Sequence, residues 1–95
     1  MPRYILLDDL LATRPELSHV NFFFENVRIA IEVGKSGEYQ RIVFLENGEA
    51  FVPTGDAEKR AVKILDRVIR EIWSQVHILY LLEHQTNGKD CPRVL

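Results

Sequence analysis

The sequence predicts an α+β fold that runs N-terminal helix or helices, three-stranded antiparallel meander, long C-terminal helix (α-β-β-β-α). Three observations predict it. Apolar residues follow helical spacing before Thr13. From Val27 they alternate with polar residues, which is the strand pattern. From Asp56 onward a long stretch returns to helical spacing.

Length and composition limit the chain to one domain. It has 95 residues, of which 46% are hydrophobic and 27% charged, which is typical of a globular protein and too apolar for a disordered one. We expect a compact domain over residues 1–88 and a loose tail over residues 89–95, after the Asn87-Gly88 stop signal. A chain this short buries only roughly 60–65% of its unfolded surface, which favours an oligomer.

The N-terminal part is expected to be helical. A first helix is predicted from Tyr4 to about Thr13. Thr13 followed by Glu16 has the capping-box pattern, and Pro15 suits a first helical turn, so a second short helix is expected there. The alternative is that Val20–Phe24 already forms a strand, because aromatic residues favour pleated surfaces.

The central part is expected to form the meander. Residues 27–33 alternate and predict a strand with one solvent-facing side. The turn "GKSG" leads to a second strand over residues 38–45, which is apolar on both faces and therefore covered on both. Asn47-Gly48 is a strong hairpin signal, and a short third strand over residues 50–52 ends at Pro53.

The closing helix is expected to begin at a cap on Thr54 or Asp56 and to run to about His84. About 28 helical residues would span roughly 42 Å. A compact chain of this size has a radius of gyration near 12 Å. The helix is therefore predicted to extend beyond the globule formed by the rest of the chain.

The two halves of this helix differ in polarity. The first half is amphipathic, and Asp66–Arg70 and Arg67–Glu71 are spaced as i,i+4 ion pairs. The second half carries apolar residues on nearly every side, and each one left exposed forgoes roughly 1.5–3 kcal/mol of burial. Either the N-terminal leucines or another chain must cover it, and we expect a partner, most simply a second copy. The predicted interface consists of Ile72, Trp73, Val76, Leu79 and Tyr80.

The sequence contains no set of residues that specifies a reaction, so we expect a non-enzymatic binding or regulatory protein without a cofactor. His77, His84 and Cys91 are seven residues apart, too far for one metal ion on a straight helix. No apolar run is long enough to span a bilayer. With one cysteine and no visible signal peptide, we expect a cytoplasmic location, or the interior of the host cell if the protein is viral.

A basic stretch early in the closing helix predicts an alternative function. The order helix–three strands–helix, with "KRAVK" at the start of the last helix, resembles a double-stranded RNA-binding domain. The resemblance implies duplex binding, with phosphate contacts from Lys59, Arg60 and Lys63, and Arg67 extends the patch. The hairpin "GKSG" departs from that family because it lacks the Gly-Pro-x-His contact loop.

A third alternative is a compact inhibitor of a larger complex that handles nucleic acid, of the phage or mobile-element type. The chain has a net charge of −2. An acidic surface that included Asp8, Asp9, Glu46 and Glu49 would then imitate nucleic acid or block a basic groove.

Overall fold

The structure is a computed structural model that describes residues 3–76. Its elements are β1 (Arg3–Leu6), α1 (Leu7–Thr13), a 3-10 segment (Pro15–Val20), β2 (Arg28–Val33), β3 (Tyr39–Glu46), β4 (Glu49–Phe51), α2 (Asp56–Ile72) and a 3-10 turn (Trp73–Gln75). The four strands form one antiparallel sheet in the order β1-β2-β3-β4. The fold is therefore α+β, and a fourth strand joins the edge of the predicted meander.

The first strand corrects the expectation of a helix from Tyr4 to Thr13. β1 pairs with β2 and places Ile5 opposite Ile31 and Leu6 opposite Ala30. Ile5 and Leu6 are both buried, and they point to opposite faces of the sheet. A short run that is apolar at every position suits a strand covered on both faces as well as a helix. Pairing with β2 selects the strand, and α1 begins only at Leu7.

The segment after α1 is a 3-10 helix, and the predicted capping box is wrong. Pro15 does occupy the first turn, but the residue before it in the cap position is Arg14. The Thr13 hydroxyl instead donates a hydrogen bond of 2.8 Å to the Leu10 carbonyl in the last turn of α1. The segment ends at Val20, and residues 21–27 are neither helix nor strand, so the strand alternative for that stretch is also wrong.

The two tight turns of the meander use backbone conformations that suit their residues. Asn47 and Gly48 have φ angles of 52° and 83°, as the hairpin between β3 and β4 requires. Gly37, in the turn between β2 and β3, has a φ of 84°. The hairpin expected at Asn47-Gly48 is therefore confirmed.

The closing helix is shorter than expected. It begins after Gly55, so neither Thr54 nor Asp56 is its cap, and its 17 residues span roughly 25 Å. The longest dimension of the molecule is 32 Å, so α2 does not extend beyond the globule. An unbroken helix to His84 is wrong, because a 3-10 turn follows and the backbone at Val76 is extended. Residues 77–95, including the expected tail, lie outside the described residues.

Apolar side chains are buried on both faces of the sheet. On what we call the first face, α1, the 3-10 segment and α2 pack onto the strands and form the main core, whose buried members are Ile5, Leu7, Leu10, Val20, Ile29, Ile31, Val33, Ile42, Phe44, Leu65 and Ile69. The second face carries Tyr4, Leu6, Ala30, Val43 and Leu45, which are also buried. β3 is covered on both faces as expected, but the predicted solvent-facing side of β2 is wrong at Ala30.

Candidate interaction surfaces

The C-terminal end of α2 is fastened to the turn between β2 and β3. The indole Nε1 of Trp73 donates a hydrogen bond of 2.9 Å to the Gly37 carbonyl. The Trp73 ring also meets the Tyr39 ring edge-on, with 5.7 Å between the centroids. Trp73 is half-buried and packs against the main core. This predicted interface residue is therefore engaged within its own chain.

Tyr39 organises the polar contacts beside Trp73. Its hydroxyl donates a hydrogen bond to Asp66, and the Arg70 guanidinium lies 4.8 Å from the centre of its ring. Asp66 also accepts from Arg70 Nε at 3.0 Å, which is the expected i,i+4 pair. Burial, the hydrogen bond to Asp66 and the negative charge of Asp66 together raise the pKa of Tyr39 far above its ordinary value, against the opposing effect of Arg70. The phenol therefore stays protonated and serves as a donor that links β3 to α2.

The remaining predicted interface residues differ in their surroundings. Val76 is half-buried and packs against the main core. Ile72 lies on the core-facing row of α2, three residues after Ile69, and is also half-buried. Within residues 3–76, however, Ile72 is not among the side chains packed on either apolar cluster. Leu79 and Tyr80 lie outside the described residues.

The basic patch is a row along the solvent side of α2. Lys59, Lys63 and Arg67 are spaced i, i+4 and i+8, so they stand above one another over about 12 Å of helix, with Arg60 beside them. All four are exposed. Within the described part of the chain none of them forms an ion pair, and the expected pair between Arg67 and Glu71 is absent. Four positive charges are thus available to an anionic partner.

The acidic residues do not form one surface. Asp8 is exposed and pairs with Arg28 at 3.3 Å. Asp9 is only 7% exposed, so the expectation that it belongs to an exposed acidic surface is wrong. Glu46 and Glu49 face each other across the β3–β4 hairpin. The four acidic residues predicted for an inhibitor therefore lie in three different surroundings: one is paired with an arginine, one is buried, and two lie on a hairpin.

Sequence reasoning missed a loop of three phenylalanines. Phe24 packs on Phe44 with 5.3 Å between ring centroids, and Phe44 meets Phe51 at 6.1 Å. Phe23 between its neighbours is 87% exposed and lines a cleft of about 280 Å³, with the Asp8–Arg28 pair also in its wall. The signal was the run "FFF" directly before an alternating strand. Such a run cannot reveal which ring stays outside the core.

The described residues contain no arrangement typical of a metal site or a membrane span. Within residues 3–76 no group of three His, Cys, Asp or Glu side chains is placed to hold a metal ion. His77, His84 and Cys91 lie outside that range. Of the helices in the same range, none has both the length and the apolar character that crossing a bilayer needs.

Comparisons with known proteins return no relative. The chain matches no family model, no curated protein and no solved structure. The observed order β-α-β-β-β-α also departs from the α-β-β-β-α arrangement on which the resemblance to a double-stranded RNA-binding domain rested. The surfaces described above must therefore be interpreted from their own chemistry.

Proposed function

We propose that the protein is a non-enzymatic binding protein that acts through protein–protein contacts, most simply as a homodimer. The observation that supports the proposal is the surroundings of the Ile72 side chain. This side chain lies on the core-facing row of α2, yet within residues 3–76 it packs on neither apolar cluster although it is half-buried. Full burial of an isoleucine side chain is worth roughly 1.5–3 kcal/mol, so an apolar surface that covers the exposed part of Ile72 would contribute part of that amount.

The contact extends from Ile72 into the chain that follows. A stable interface buries about 800 Å² on each partner, which takes some 20–30 residues. The end of α2 alone is too small for this. The sequence after it adds Leu79 and Tyr80, and tyrosine is one of the residue types that most often anchor interfaces.

The proposal is tested by measuring the mass of the full chain in solution. We expect light scattering at tens of micromolar to give the mass of two chains, and Ile72→Glu to shift it toward one. The matched control is Ile64→Glu, which places the same change on the same helix at a side chain that is 41% exposed. Far-UV circular dichroism checks that both variants are folded. A wild-type chain that is monomeric at every concentration, or equal effects of the two changes, contradicts a dimer formed through this end of α2.

A second candidate function rests on the basic row of α2. Four exposed cations without ion pairs in the described range would contact phosphates of a nucleic-acid duplex. Four such contacts give a slope of roughly −3.6 in a plot of log affinity against log salt, at about −0.9 per contact.

This candidate is tested by fluorescence anisotropy with a labelled duplex over a range of salt concentrations. Lys63→Gln is expected to reduce the magnitude of the slope by about 1. The control is Arg41→Gln, because Arg41 is an exposed cation on the sheet and lies 3.9 Å from Glu32. No binding at low salt rejects the candidate, and so does a slope that both variants reduce equally.

A further inference from the structure

The cleft beside Phe23 is built on the main core. Two of the residues that line it, Leu7 and Ile29, are only 2% and 7% exposed and belong to that core. Most of the lining is apolar, and this part consists of Leu7, Phe22, Phe23, Phe24, Val27 and Ile29. The cleft therefore has an apolar, tightly packed floor, as sites for small ligands usually have.

The loop that carries Phe23 is held in place by its own contacts. The ring of Phe24 packs on Phe44, and the Val27 N–H donates a hydrogen bond of 3.4 Å to the Phe24 carbonyl. Asn26 has a φ angle of 67° within this turn, a left-handed conformation that asparagine adopts more readily than most residues. The ring of Phe23 is thus kept at the mouth of the cleft, where it is 87% exposed.

One charge of each sign lies in the wall of the cleft. Asp8 and Arg28 both line it, and Arg28 Nη2 lies 3.3 Å from Asp8 Oδ2. Their side chains are 56% and 33% exposed, so a ligand in the cleft can reach both. A guanidinium carries five N–H donors, so Arg28 can donate to a second carboxylate while it keeps Asp8. Among the described residues no other charged side chain lines the cleft, and its wall is therefore neutral overall.

The short distance between these two charges selects the ligand. A ligand with one charge would meet an attractive and a repulsive partner at nearly the same distance, whereas a zwitterion placed antiparallel to the pair meets two attractive partners. In a free α-amino acid the ammonium nitrogen and the carboxylate oxygens are about 3 Å apart, as the N–Cα and Cα–C bond lengths require. This separation matches the 3.3 Å between Arg28 and Asp8. A peptide does not match, because each further residue separates its terminal charges by about 3.5 Å more.

We propose that the cleft binds a free α-amino acid with an apolar side chain. The ligand carboxylate accepts from Arg28, the ligand ammonium group donates to Asp8, and the apolar side chain lies against the phenylalanine rings. The inference goes beyond the proposed function, because the site lies within one chain and Ile72 does not line it. A monomeric chain that binds the amino acid would remove the homodimer and leave this inference intact.

The first test is an NMR titration of the full chain with L-phenylalanine. We expect the amide signals of Phe23, Val27 and Arg28 to shift and to saturate, with a dissociation constant of about 2 mM for a ligand of about 12 non-hydrogen atoms. The Gly37 amide, in the turn between β2 and β3, is the internal control and should not shift. The absence of a saturable shift up to the solubility limit of the ligand overturns the proposal, and so do equal shifts at Gly37.

The second test uses two analogues that each lack one charge. N-acetyl-L-phenylalanine has no ammonium group, and L-phenylalanine amide has no carboxylate. We expect each to bind about fivefold more weakly than L-phenylalanine, which corresponds to the upper end of the range for a partly exposed ion pair. If either analogue binds as tightly as L-phenylalanine, the site does not recognise a zwitterion and the proposal is overturned.

The third test assigns the binding to the cleft. Arg28→Gln should abolish the difference in affinity between L-phenylalanine and its amide, whereas Arg41→Gln, which removes a cation outside the cleft, should preserve it. Phe23→Ser should weaken binding several-fold, and Val52→Ser, at another exposed apolar side chain, should not. An unchanged amide signal of Ile42 shows that a variant has kept the main core. A difference that persists in Arg28→Gln, or wild-type affinity in Phe23→Ser, overturns the proposal.

Discussion

The hydrogen bond from Tyr39 to Asp66 joins β3 to α2, and its contribution to stability can be measured. Tyr39→Phe removes this bond and keeps the aromatic ring. A hydrogen bond to a charged group contributes about 1.5–3 kcal/mol. Asp66 keeps its ion pair with Arg70, and its side chain is 36% exposed, so water replaces part of the lost bond. We therefore expect a loss of about 1 kcal/mol, or roughly 4–8 °C in the melting temperature of a domain of this size.

The fluorescence of Trp73 can be used to measure the stability of Tyr39→Phe. Trp73 is the only tryptophan in the chain and lies 5.7 Å from Tyr39, so its fluorescence follows urea unfolding at this contact. Far-UV circular dichroism, recorded in parallel, must give the same midpoint for a two-state analysis to hold. The control is Arg67→Gln, because Arg67 is an exposed cation of the same helix without an ion pair in the described range, and its substitution should change stability by less than about 0.5 kcal/mol.

A double-mutant cycle decides whether the loss belongs to this bond. If Tyr39→Phe acts through Asp66, its effect should shrink in an Asp66→Ala background and give a coupling energy of about 0.5–1 kcal/mol. If Tyr39→Phe leaves stability unchanged, or if its effect is the same with and without Asp66, the bond does not hold α2 against β3.

Three further predictions concern stability. The pKa of Tyr39 is raised above 10.0 in the folded chain, so the stabilisation by its protonated hydroxyl is complete below pH 10 and is lost as the pH rises above that value. The free energy of unfolding, measured from pH 8 to pH 11, should therefore decline less in Tyr39→Phe than in the wild-type chain. Gly48→Ala should cost about 1 kcal/mol because the φ angle of Gly48 is 83°, whereas Asn47→Gly should be nearly neutral; equal losses in urea unfolding would contradict this. Leu65→Ala should cost about 2–5 kcal/mol because Leu65 is fully buried, and Ile64→Ala should change stability by less than about 0.5 kcal/mol; similar urea midpoints would contradict the assigned core.

The sequence predicts well wherever one side of an element faces the core and the other faces water. The amphipathic spacing of α2 predicts its buried residues Ala61, Leu65 and Ile69, because in a helix with one buried face the apolar residues recur every three or four positions. The sequence does not predict the strand Arg3–Leu6, because this short segment is apolar at nearly every position and shows no periodicity that separates a strand from a helix. It also fails at Ala30, since a small residue does not reveal which face of a strand is covered.

The candidate surfaces were predictable to different degrees. Exposure of the basic row followed from its helical spacing, because solvent-facing charges repeat with the turns of α2. The role of Trp73 was not predictable. Its indole donates to Gly37, which is 36 residues away in the chain, and local patterns carry no information about such a contact.

By itself the sequence determined the β2–β3–β4 meander, the Asn47-Gly48 turn and the amphipathic helix that follows. These depend on residues close together in the chain, through preferences of a few tenths to about 1 kcal/mol each. The tertiary structure alone decided that Arg3–Leu6 is a strand, that α2 ends at Ile72, and that both faces of the sheet are buried. Burial of one large apolar side chain is worth roughly 1.5–3 kcal/mol, so distant contacts override local preference wherever the two disagree.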